Sequence, residues 1–98
     1  MPGVGKGENM MYPYLTFDDN TEIVHSELHD DKTVDVYVET PCVGGFKSAY
    51  CRLPDYKWTN IEGYSKEEIE EYQKIIESNA HLIIRFAETG GFDNASGF

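Results

Sequence analysis

Apolar and polar residues alternate without interruption from Val34 to Glu39, the pattern of a β-strand with one face buried and the other wet. The same period returns from Ser48 to Leu53, where Ala49, Cys51 and Leu53 alternate with Ser48, Tyr50 and Arg52. Pro41 and Gly44-Gly45 separate these segments, and Pro54-Asp55 ends the second. Upstream, Tyr12 to Phe17 and Glu22 to His29 read as strands bounded by the turn sequences Asp18-Asp19-Asn20 and Asp30-Asp31-Lys32. Successive antiparallel hairpins, with Val24 opposite Val38 and Val36 opposite Cys51, predict an apolar face of Val24, Leu28, Val34, Val36, Val38, Ala49, Cys51 and Leu53, joined by Leu15 and Phe17. Asp55 to Gly63 reads as a connector whose Trp58 closes one end of the core.

The period changes after Gly63. Ser65 and Glu68 have the spacing of a capping box, and Tyr64 and Ile69 stand where a hydrophobic staple closes, so both signals start a helix at Ser65. From Lys66 to about Glu88, Ile69, Tyr72, Ile76, Ala80, Ile83 and Phe86 gather on one side, against a stripe of Glu67, Glu71, Lys74, Ser78, His81, Arg85 and Glu88. Gly90-Gly91 supplies a stop, with Phe92 as the hydrophobic contact of the cap. The expected fold is α+β: a four-stranded antiparallel sheet with one face covered by a long C-terminal helix, one domain over 11–92 and a frayed tail over 93–98.

Such a helix is roughly 35 Å long, whereas ordinary strands cover about 17–20 Å. The overhanging end carries Leu82, Ile84 and Phe86, which are expected either to make a homodimer contact or to follow a helix break at Ser78-Asn79.

A formal net charge of -10 opposes binding to nucleic acid or an anionic membrane and favours a basic or neutral protein partner. No apolar run approaches the length of a membrane span. The two cysteines, Cys42 and Cys51, lack the spacing of a metal site and read as reduced thiols of a cytoplasmic protein, Cys51 as core packing. Lys6-Gly7-Glu8-Asn9-Met10 is encodable by a purine-rich ribosome-binding sequence, so translation is expected to begin at Met10 or Met11 in a bacterium, with residues 1–10 expected to be either disordered or a mis-assigned leader.

Candidate chemistry lies on the polar side of the strands. Alternation sends His25, Glu27, Asp35, Tyr37, Tyr50 and Arg52 to one face, with His25, Tyr37 and Tyr50 in one row and Glu27, Asp35 and Arg52 in the next. His25-x-Glu27-x-His29 offers metal-ligand types for a small metal-dependent or hydrolase-like enzyme, although i and i+4 in a strand lie about 13 Å apart, too far to chelate alone. A third reading is an acidic DNA mimic built on Glu67, Glu70, Glu71, Glu77 and Glu88, which Lys74 and Arg85 interrupt. No phosphate loop, dinucleotide fingerprint or nucleophile elbow occurs, and no cofactor is expected. The leading expectation is a protein-interaction or accessory module using the Tyr37 and Tyr50 face.

Overall fold

A computed structural model describes residues 11–89. Strands β1 (Tyr12–Thr16), β2 (Glu22–His25), β3 (Val34–Cys42), β4 (Gly45–Leu53) and β5 (Lys57–Glu62) precede helix α1 (Lys66–Glu88). The strands form one antiparallel meander in chain order. The alternation of the two central strands is realised directly. Val34, Val36, Val38, Ala49, Cys51 and Leu53 are fully buried against α1, while Asp35, Tyr37, Tyr50 and Arg52 face the other way. A strand buried on one side holds its register tightly, because a slip by one residue would turn every apolar side chain to water.

Helix α1 begins where its sequence dictates. Ser65 Oγ accepts the Glu68 N–H and Glu68 Oε1 accepts the Ser65 N–H, so the capping box is closed in both directions. Ile76, Ile83 and Ala87 are its buried positions, with Ile69, Tyr72, Ile75, Ala80 and Ile84 packed around them. Fully burying a side chain such as Ile76 contributes about 1.5–3 kcal/mol, against about 1 kcal/mol for a cap. Packing holds the helix; the cap sets where it begins.

Among the described residues the sheet has five strands, not four. Lys57–Glu62, expected as a connector, is edge strand β5, with Cys51 opposite Trp58 and Tyr50 opposite Thr59. Its pattern is weak because Trp58 is its one half-buried side chain and a register shift between Ser48 and Tyr50 breaks the period. Trp58 packs on the core and donates from Nε1 to Gln73 of α1.

Strand β2 has the opposite parity to the one expected. Ile23 stands opposite Val38 and His25 opposite Val36, so Ile23 and His25 point into the core and Val24 points out. The expected pairing of Val24 with Val38 is off by one residue. Ile23 and Val24 are adjacent and both apolar, and packing selects the larger one, burying His25 with it. Leu15 lies beside a bulge in β1 and is 36% exposed, outside the apolar face expected of it.

The helix does not break at Ser78-Asn79; both side chains donate to carbonyls one turn back and the 23 residues run on. Nor does its last turn hang free. The nine-residue strands β3 and β4 are about 30 Å long, and the Leu28 N–H donates to Ala87 O at the helix end. Phe86 packs on Tyr14 with ring centroids 6.0 Å apart. Leu82, Ile84 and Phe86 are all half-buried. Among the described residues no helix is long and apolar enough to cross a membrane. The expected leader over 1–10, the Gly90-Gly91 stop with Phe92, and the tail over 93–98 lie outside the described residues.

Candidate functional site

One face of the sheet is covered by α1, and the opposite face carries three rows of side chains fixed by strand register. The central row crosses all five strands: Pro13, Val24, Tyr37, Tyr50 and Thr59 stand successively opposite one another. The Tyr37 and Tyr50 rings are 4.7 Å apart. Burial holds the Tyr37 phenol above its ordinary pKa, opposed by a hydrogen bond with Ser48.

On one side of this row lie Glu22, Glu39, Ser48 and Glu62, again in register. Glu22 and Glu39 are directly opposite, an arrangement of like charges that destabilises a bare sheet. Phe46, 61% exposed and opposite Pro41, extends this flank toward the β3–β4 turn.

On the other side lie Asp35, Arg52 and Lys57. Asp35 Oδ1 is 3.6 Å from Arg52 Nε, and its Oδ2 is 3.2 Å from His29 Nε2. These groups are about a third to a half exposed, where an ion pair contributes about 0–1 kcal/mol, so the cluster orients charge more than it stabilises the sheet. Asp35, Tyr50, Arg52, Lys57, Thr59 and Asn60 line an open depression of about 460 Å3.

Ser26 explains how His29 reaches this face. The Ser26 N–H donates to Asp35 O and Ser26 Oγ accepts the Asp35 N–H, so a side chain replaces the next rung of the ladder and β2 ends at His25. The turn closed by His29 N–H to Thr33 O then carries the imidazole back over Asp35. Ser26, His29 and Asp35 are the residue types of a hydrolytic triad, with Ser26 Oγ 3.3 Å from His29 Nε2. The geometry does not match one. Both contacts fall on the same ring nitrogen, whereas base and orienting carboxylate must use different nitrogens, and Ser26 is 2% exposed with its hydroxyl donating to Glu27 O.

The six expected surface residues are therefore divided. Asp35, Tyr37, Tyr50 and Arg52 share the uncovered face, Tyr37 opposite Tyr50 and Asp35 opposite Arg52. His25 belongs to the other layer. It is fully buried, its Nδ1 is 2.8 Å from Ser26 O, its ring lies 5.7 Å from that of Tyr12, and its Nε2 has no hydrogen-bond partner among the described residues. Desolvation pushes its pKa down. Glu27 is exposed and accepts from the Tyr12 hydroxyl. His25, Glu27 and His29 consequently do not converge on one point, and among the described residues no group of three or more His, Cys, Asp or Glu could hold a metal ion.

Val24, Lys57 and Glu62 complete the face but were hidden in the sequence, Val24 by the inverted parity of β2 and the other two by the weak pattern of β5. The visible signal was Lys57-Trp58-Thr59, whose alternation continues the sheet beyond Tyr50. Compared with protein families, curated proteins and solved structures, the chain matches none.

Proposed function

We propose that this chain is a non-catalytic protein-interaction or accessory module that docks a partner protein on the uncovered sheet face, and that it works in the cytoplasm of a bacterium. The observation that carries this reading is the central row. It sets Val24 and the Tyr37–Tyr50 pair in the middle of a face with charge on both flanks, an apolar and aromatic centre inside a polar rim. The cytoplasmic and bacterial parts rest on two unpaired thiols, Cys42 exposed and Cys51 buried, and on the ribosome-binding sequence that Lys6 to Met10 can encode.

A photo-crosslinking amino acid at position 50, in cells that make the protein, is expected to give a protein adduct. The same residue at position 71, on the exposed side of α1, is the control. Adduct formation at position 50 should fall when Tyr37→Ala is added, with circular dichroism unchanged. Equal adducts at both positions, or none at position 50, would count against the reading.

A further inference from the structure

Resting on the sheet-face reading, we propose that the partner on this face is a second copy of the chain, docked sheet to sheet about a two-fold axis that runs along the row of Val24, Tyr37, Tyr50 and Thr59. A two-fold interface must be self-complementary: whatever residue i meets on its partner, the same residue must meet i. Of the two in-plane axes that keep the strands aligned, the flanking rows favour one.

An axis parallel to the strands would lay the glutamate row on itself. An axis along the central row exchanges the flanks, so Glu22, Glu39 and Glu62 of one copy approach the row holding Arg52 and Lys57 of the other. Strand β5 shows the match most directly. Lys57 lies two positions before Thr59 and Glu62 three positions after it, on the side where the register shift between Ser48 and Tyr50 takes up the extra residue. Both charges thus sit about 7 Å from the axis, so each Lys57 meets Glu62 of the other copy. The axis keeps each strand over its own copy, so Lys57 gains a carboxylate directly, while Arg52 faces Ser48 with Glu62 of the other copy on the neighbouring strand, beside the depression that Arg52 and Lys57 line. Asp35 also approaches Glu39 of the other copy, but Arg52 of its own copy stands 3.6 Å from it.

Size is compatible with this docking. Strands of 5, 4, 9, 9 and 6 residues at about 3.3 Å per residue and about 4.8 Å spacing give roughly 500 Å2 in plane, and side-chain relief raises the accessible surface toward that of a stable interface, about 800 Å2 per partner. The net charge of -10 opposes self-association. Much of it sits on Glu67, Glu70, Glu71 and Glu77, exposed on the helix, a full layer behind the interface. That separation exceeds the screening length of about 8 Å at physiological salt.

Sedimentation velocity on the full chain from micromolar to millimolar concentration tests the proposal. A concentration-dependent dimer is expected. Lys57→Glu and Glu62→Lys should each weaken it about tenfold or more, and the double variant, which restores the pair with its signs exchanged, should recover it. These exposed side chains leave the fold unchanged, checked by circular dichroism. A monomer at every concentration, a dimer indifferent to both reversals, a double variant no better than the singles, or a dimer that Leu82→Asp disrupts instead would overturn it. The crosslinker at position 50 separates the two readings. An adduct with a different protein, beside a monomeric wild type, removes the second copy and keeps the docking face, whereas no adduct removes both.

Discussion

Tyr37 and Tyr50 stand directly opposite each other on β3 and β4, with ring centroids 4.7 Å apart and planes inclined by 48°, on the face that α1 does not cover. An aromatic pair in such contact contributes about 0.5–1.5 kcal/mol beyond the area it buries. A double-mutant cycle with Tyr37→Ala and Tyr50→Ala, read by urea denaturation, should return a coupling in that range, with the double variant still unfolding cooperatively. A double variant without a cooperative transition would show that the pair belongs to the core rather than to a surface.

The capping box makes a cleaner measurement, because Ser65 is exposed and its hydroxyl accepts the Glu68 N–H. Ser65→Ala should cost about 1 kcal/mol. Ser65→Asp should keep most of the stability, since a carboxylate accepts the same bond and suits a helix N-terminus. Equal losses in the two variants would speak against capping as the cause.

Depth within the helix sets a contrast between two aliphatic side chains. Ile76 is fully buried whereas Leu82 is half-buried. Ile76→Ala should cost about 2–5 kcal/mol, transfer and cavity combined. Leu82→Ala should cost less than half of that under conditions where the chain is monomeric. Comparable denaturation midpoints for the two variants would contradict the packing described.

His25 makes stability depend on pH. Burial lowers its folded pKa below the ordinary value of about 6.5, so in the window beneath 6.5 the unfolded chain binds a proton that the folded chain refuses. Stability is complete above pH 6.5 and is lost as pH falls from there toward the folded pKa. His25→Leu removes the titrating group together with the unpartnered Nε2. Its urea midpoint should exceed that of the wild type at pH 5 and not at pH 8. A parallel pH profile in the two proteins would exclude His25 as the source.

The thiols should separate by burial. Cys51 is fully buried and its pKa is pushed up to about 12, largely by desolvation, whereas Cys42 is exposed near the β3–β4 turn. A thiol reagent at pH 8 should modify Cys42 alone in the native protein and both residues in denaturant. Native labelling of Cys51, located by peptide mapping, would show that the core opens readily.

What the sequence determined was local. A period of two over Val34–Glu39 and again over Ser48–Leu53 is enough to choose which side of β3 and β4 is buried, because Val34, Val36, Val38, Ala49, Cys51 and Leu53 alternate with side chains that carry a polar group. Reciprocal hydrogen bonds between residues three apart are enough to start α1 at Ser65. Tertiary structure decided the cases where two readings were locally equal. With Ile23 and Val24 adjacent, only contact with Val38 and the helix could select Ile23 for the core and take His25 with it. With Trp58 the one side chain that β5 half-buries, only the open edge of β4 could make Lys57–Glu62 a strand. The rows on the outer face are products of those two decisions, since residues from five separate strands become neighbours through hydrogen-bond register, which no single segment of the chain contains.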